Sequence, residues 1–190
     1  MRRRGVRRAF GRRAEPEPST NPAAVAPAQV EHARLGLLRW DDSEGFGWGY
    51  VGRYRDCEVI VDPFTNDVPG QAPRELPNAT EFVDACADRI DAVLDDLPAI
   101  TAHAANELLA VYNEDWREYQ EADAQGDLHN VSNDVIDEAE FARRLTPDSI
   151  GVGADLDCEV FFADGGLFWG HSIIVAVGAD GTFDDVQLAG

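Results

Sequence analysis

The densest run of chemistry-bearing residue types is Leu167-Phe168-Trp169-Gly170-His171-Ser172-Ile173-Ile174. Two large aromatics, a glycine and a histidine lead into a strand, just after the turn Asp164-Gly165-Gly166. Histidine titrates near neutrality, so His171 is a candidate general base or ligand, with Asp164 as its acid. Ser172 cannot serve as its partner, because adjacent strand residues point to opposite faces. This chemistry describes a small hydrolase or ligand-binding protein with a pocket beside Trp169. The structural reading of Phe168, Trp169, Gly170 and His171 is plainer. The aromatics fill the core, and His171 makes one hydrogen bond at the strand entrance.

Carboxylates form the other concentrations. Asp155, Asp157 and Glu159 alternate in sequence and are expected to share one strand face, where they are weak candidates for a hard cation. No calcium-loop pattern accompanies them, and a solvated face that discourages edge pairing is the preferred reading. No metal or other cofactor is expected. Asp84, Asp88, Asp91 and Asp95 recur at helical spacing, and Glu114, Asp115, Glu118 and Glu121 follow at the end of the next helix. Such faces complement a basic protein, speeding encounter and holding desolvated pairs.

The leading expectation is therefore a non-enzymatic acidic protein-interaction module, immunity-like, that binds a basic protein partner. The hydrolase or ligand-binding reading through His171 is the first alternative. A structural scaffold or fusion module is the second, and it would expose an apolar patch. Glycine-rich phosphate loops, a nucleophile elbow and a dinucleotide fingerprint are absent from the sequence. Asn113 and Glu114 close a helix and could reach a substrate, but anchoring by Trp116 explains that end as well. His103 reads as a partly buried structural histidine; His32 and His129 sit in expected loops.

Net charge sorts the partner classes. The chain has 190 residues, a formal charge of −20, 16 basic residues and 36 acidic ones. Every basic residue is arginine, and Arg2, Arg3, Arg4, Arg7, Arg8, Arg12 and Arg13 crowd the first 13 positions without an acid. The rest carries a net −27. A body so acidic repels phosphate, which argues against nucleic acid or a membrane as its partner. The arginine run reads as an extended start, as a solubilising arm, or as a basic arm that touches the acidic body or a polyanion. The apolar stretch of an export signal does not follow it. Cys57, Cys86 and Cys158 have no paired spacing, so neither a disulfide framework nor a zinc site is expected. A reducing cytoplasm is the expected location.

These residues need a scaffold. Residues 1–30 read as a disordered tail, arginine-rich and then Pro/Ala-rich, and residues 31–190 as a single domain. Leu35–Trp40, Phe46–Tyr54 and Cys57–Val61 alternate as a three-strand meander. Pro63–Pro77 is a loop. Helices follow from about Asn78 to Leu97 and from Pro98 to Trp116, with Asn78 or Thr80 capping the first. The second is expected to turn Ile100, Ala104, Leu108, Val111 and Tyr112 inward. Ala122–Asn133 reads as a polar link. A short third helix is capped by Asp134 and stops at Thr146-Pro147. Ser149–Val152, Leu156–Phe162, Ser172–Val177 and Phe183–Leu188 make a four-strand C-terminal meander. The fold class is α+β, a mostly antiparallel sheet with two long helices and one short helix on one face.

The pattern resembles the bacterial family called domain of unknown function 2262. The resemblance rests on Leu35-Gly36-Leu37-Leu38-Arg39-Trp40 with Phe46-Gly47-Trp48-Gly49, and on Leu109-Ala110-Val111-Tyr112-Asn113-Glu114-Asp115-Trp116. It rests further on Phe141-Ala142-Arg143-Arg144-Leu145-Thr146-Pro147-Asp148-Ser149-Ile150, on Leu167–Ile173 and on the close Leu188-Ala189-Gly190. It covers about residues 35–190. It implies one bacterial domain without an assigned activity, and it brings no catalytic residues. Pro63–Pro77 is longer than that family's usual connection.

Overall fold

The computed structural model describes residues 29–41, 49–63 and 79–190. The arginine run, Phe46-Gly47-Trp48, most of the proline-rich loop and the Asn78 cap lie outside the described residues.

Residues that alternate in the sequence alternate in the sheet. In β4 (Cys57–Val61), Cys57, Val59 and Val61 are buried and Glu58 is exposed. In β8 (Cys158–Ala163), Cys158, Val160 and Phe162 point inward, and in β9 (Ser172–Val177), Ile173, Val175 and Val177 do so. A period of two on a half-covered sheet explains both patterns. Eight strands form the sheet in the order β1-β2-β3-β4-β7-β8-β9-β10. β1 (Gln29–His32), β2 (Gly36–Asp41), β3 (Gly49–Tyr54) and β4 make one antiparallel meander. β7 (Thr146–Val152), β8, β9 and β10 (Phe183–Ala189) make the other. The meanders join at a parallel pair, β4 with β7, in the register Glu58↔Ser149 to Val61↔Val152. A parallel junction needs a long crossover, and the helices supply it.

α1 (Ala79–Asp95) buries Val83, Cys86, Ala87, Ile90 and Val93. α2 (Leu97–Val111) has proline in its first turn and buries Ile100, Ala104, Ala105 and Leu108. Val111, expected to face inward, is 37% exposed. α3 (Glu138–Arg144) starts one turn later than expected. Asp137, not Asp134, is its cap, accepting the Glu140 N–H at 2.8 Å. Glu140 early and Arg143 and Arg144 late match the helix dipole, and both arginines bond Glu140.

Three further expectations change. The first meander has four strands and not three, because β1 precedes Leu35 and pairs Gln29↔Arg39 to His32↔Gly36. The polar link is a hairpin, β5 (Glu118–Ala122) with β6 (Leu128–Ser132), set apart from the main sheet. Thr146 and Pro147 open a strand instead of merely stopping a helix.

The stripe Asp84, Asp88, Asp91 and Asp95 also has a different setting from a plain solvated face. Arg34, between β1 and β2, donates to the carboxylates of Asp88 and Asp91. Arg55, at the β3–β4 turn, reaches Asp91 and Asp95 at 3.1 Å each. The Tyr54 hydroxyl donates to Asp91 at 2.9 Å. His32 is 8% exposed; its Nδ1 accepts the Leu35 N–H, which leaves Nε2 to donate to Asp84 at 2.8 Å. The like-charge repulsion along α1 is thus offset by cations from the first meander. Arg55 and Asp56 both have positive φ (46° and 68°), the geometry of a tight two-residue hairpin turn, which aims the Arg55 side chain at α1.

Candidate functional site

The segment Asp164–His171 forms a loop built around one carboxylate. Asp164 is 5% exposed. Its Oδ1 accepts from Gly166 at 3.0 Å, and its Oδ2 accepts from Phe168 at 2.6 Å and Gly170 at 3.1 Å. Three backbone donors on one buried carboxylate make a rigid turn. Gly165 is required there: its φ is +57°, and a Cβ would come within 2.5 Å of the Arg144 carbonyl oxygen. The same turn drives Phe168 fully into the core, against Tyr112 and Phe141.

Trp169 goes the other way. Its φ is +58°, a left-handed conformation that a bulky residue rarely adopts, and it is 53% exposed. Its ring lies 4.5 Å from Trp116 and 5.9 Å from Tyr119, centroid to centroid. The three rings form an aromatic platform at the surface.

The elements beneath it explain its place. α2 ends in a π-helical turn, Tyr112–Trp116. Such turns are frequent at functional sites. Asn113 clamps this turn: its amide donates to the Ile136 carbonyl at 2.9 Å and accepts the Ile136 N–H at 3.1 Å. Arg117 adds bonds to the carbonyls of Asn113 and Asn133. Asn113 is therefore engaged in holding Trp116, not turned toward a substrate. Tyr119 comes from β5, where it pairs with Val131, and Glu121 pairs with His129. Alternation puts Tyr119 and Glu121 on the same face of the hairpin.

His171 lies behind the platform. Its Nδ1 is 2.6 Å from the Phe168 carbonyl oxygen, which can only accept, so Nδ1 carries the proton. The edge of Trp116 covers the ring at 5.3 Å, and Gly190 sits so close that a Cβ there would meet the ring at 2.5 Å. Asp164, the acid proposed for it, spends both oxygens on backbone N–H groups. The two side chains share a loop, yet the hydrogen bonds of Asp164 run to the backbone and not to His171.

Asp155, Asp157 and Glu159 do not share a strand face. Asp155 and Leu156 lie in the turn before β8, with Leu156 at φ +66°, and β8 begins only at Cys158. Asp157 accepts the Ala179 N–H at 2.8 Å. Among the described residues, no group of three His, Cys, Asp or Glu side chains is placed to hold a metal ion. Cys57, Cys86 and Cys158 are free and buried. Burial pushes the Cys86 thiol up to about 12 and the Cys158 thiol up to about 11. No helix among the described residues is long and apolar enough to cross a membrane.

The two halves of the acidic surface differ. The α1 aspartates have cationic partners within the chain. Glu114, Asp115, Glu118 and Glu121 are exposed, and their side chains make no hydrogen bond or ion pair among the described residues. They flank Trp116 and Tyr119 in sequence.

A family model matches residues 73–188, more than half of the chain. The chain is a member of DUF2262. The family is described as an uncharacterized protein conserved in bacteria. No curated protein and no solved structure matches the chain. The DUF2262 match contains the helices, the β5–β6 hairpin, the second meander and every residue of the aromatic platform; β1 to β4 lie outside it.

Sequence reasoning found the segment but not its polarity. Trp169 was expected in the core, and it is the residue left outside. The available signal was the glycines Gly166 and Gly170 that bracket Leu167-Phe168-Trp169, since glycines at that spacing mark a turn and not a buried strand; both have positive φ.

Proposed function

We propose that this DUF2262 chain is a non-enzymatic interaction module whose contact centre is the Trp169 platform, and that it takes a basic side chain of a protein partner there. The observation that carries this reading is the half-exposed Trp169, held in a left-handed conformation over Trp116. A bulky aromatic kept at such a backbone position, with its ring presented to solvent, is the residue type that dominates interface energetics. An indole face attracts a guanidinium or ammonium group by about 0.5–1 kcal/mol where exposed, and by ~2 kcal/mol once water is excluded. Glu114, Asp115, Glu118 and Glu121 supply the surrounding negative charge, which speeds encounter with a basic surface. An immunity-like role, covering a basic toxin, is the form of this reading that the clustered acids fit. The His171 hydrolase reading has less support, because the histidine is roofed by Trp116 and Gly190.

The test is a titration of the full chain with an arginine-containing peptide, against the same peptide with citrulline at each arginine. Binding that requires arginine and drops at least tenfold in Trp169→Ala supports the reading. Equal binding by both peptides, or by Trp169→Ala and the wild type, overturns it.

A further inference from the structure

The sheet face away from the helices presents two register lines. The first runs through Arg39 of β2, Val51 of β3, Ile60 of β4, Gly151 of β7, Glu159 of β8 and Ala176 of β9. The second lies two residues along each strand: Arg53, Glu58, Ser149, Phe161 and Ile174, with Leu37 of β2 extending it. Their strand neighbours Val59, Ile150, Val160 and Val175 are buried under the helices, so alternation turns both lines outward. The face is graded from end to end. Arg39 and Arg53 stand exposed at one end, and half-buried Val51, Ile60, Phe161 and Ile174 cross the middle. Exposed Glu159 and Asp184 stand at the other end, around a hollow of about 350 Å³ that Gly151 and Ala176 leave open.

We infer that this face is the interface of a two-fold dimer, its partner being a second copy of the chain. The face is self-complementary. A two-fold axis along the strands, between β4 and β7, lays one sheet over the other with the strand order reversed and both lines in step. Ile60 of each copy then lies over Gly151 of the other, and Arg39 over Ala176, so a large side chain meets a hollow in both pairs. In the second line Leu37 lies over Ile174, Arg53 over Phe161 and Glu58 over Ser149. These are an apolar pair, a cation on a ring face and a carboxylate on a hydroxyl. The Arg39 guanidinium, seated over Ala176, has Glu159 one strand spacing away, about 4.8 Å, and Asp184 on its other side. The side chains of Arg39, Glu159 and Asp184 make no hydrogen bond or ion pair among the described residues, so they are available to these contacts. Aligned sheets cross at about 30°, so the centre packs closest and the arginines bridge the margins. The net −27 outside the arginine run opposes association at a distance, and salt screens that repulsion more than it screens the paired charges in contact. The surface is separate from the Trp169 platform, whose residues lie on neither line.

Sedimentation equilibrium of the full chain at about 0.15 M salt, where charges beyond about 8 Å are screened, tests this. A monomer–dimer equilibrium with a Kd of about 1–100 μM is expected, as suits a contact at the small end of specific interfaces. Arg39→Glu and Glu159→Arg should each weaken dimerisation at least tenfold, because each sets like charges against one another twice across the axis. An equimolar mixture of the two variants should recover the dimer to within about threefold of the wild type, since both contacts are then of opposite charge. Recovery also shows that both variants are folded. Gly151→Val, whose Cβ would meet nothing nearer than 3.9 Å within the chain, fills the hollow under Ile60 without touching charge and should weaken the dimer as well. Trp169→Ala should keep it. A chain that stays monomeric up to about 500 μM overturns the inference. So does a dimer that survives Arg39→Glu and Glu159→Arg unchanged, a mixture that does not recover it, or a dimer lost in Trp169→Ala.

Discussion

Replacing Trp169 separates what its ring does for stability from what its backbone costs. A left-handed conformation costs an L-residue about 1–2 kcal/mol, and glycine adopts it freely. The ring makes two aromatic contacts, with Trp116 at 4.5 Å and Tyr119 at 5.9 Å, each worth about 0.5–1.5 kcal/mol. Trp169→Ala removes both contacts and keeps the strain, so it should destabilise by roughly 1–3 kcal/mol. Trp169→Gly removes the same contacts and releases the strain, so it should sit about 1 kcal/mol above the alanine variant. With a urea slope of about 2 kcal/mol/M, that difference is a midpoint gap of roughly 0.5 M. Far-UV circular dichroism is the right readout, because removing an indole changes the fluorescence itself. Both variants should lose the arginine peptide. An alanine variant as stable as the glycine variant would refute the strain argument. A glycine variant destabilised by more than about 4 kcal/mol would show that the ring is chiefly a structural prop, beyond what two such contacts supply.

The remaining predictions concern the scaffold. Asp164→Ala leaves three backbone N–H groups of the loop without their acceptor and should cost roughly 3–5 kcal/mol in urea unfolding. Asp164→Asn, which keeps one acceptor oxygen, should cost less, and the reverse order would contradict the geometry. The thiols of Cys86 and Cys158 are raised in the folded state above their usual 9.0, to about 12 and about 11. Their contribution to stability is complete below pH 9 and is lost as pH rises toward 12, so chemical denaturation should show falling stability over that window. Replacing both thiols with alanine should flatten the slope. The cost of Arg34→Gln and Arg55→Gln should shrink between 50 mM and 500 mM salt, because these pairs are exposed and screened; a salt-independent cost would count against an ionic origin.

Local pattern carried most of the fold. Cys57–Val61 and Ser172–Val177 alternate strongly enough that their expected and observed limits coincide. The β5–β6 hairpin was illegible for a physical reason: most of it faces solvent, and its few apolar residues, Tyr119, Leu128 and Val131, are scattered among polar ones, with Leu128 itself exposed. β1 was hidden because Val30 is its lone apolar residue, inside a Pro/Ala-rich stretch. The parallel pairing of β4 with β7 joins residues far apart in the chain, which no local period encodes. For the site, the segment around His171 was visible from residue types alone. Its working face was not, since large aromatics default to the core and only backbone geometry shows that Trp169 is turned out. Likewise the α1 aspartates looked uncompensated because Arg34 and Arg55 bond them from turns 40 to 57 residues earlier.

The β4–β7 junction has a consequence for what a shorter relative would need. The family match begins at residue 73, after β4 has ended. A chain reduced to that region would expose one long side of β7, with its row of backbone donors and acceptors open along Ser149–Val152. Such a margin is a template for adding a foreign strand, and so for aggregation or swapping. The first meander is thus a built-in sealant for the second. A relative that lacks it must close the same seam with another segment or with a second molecule.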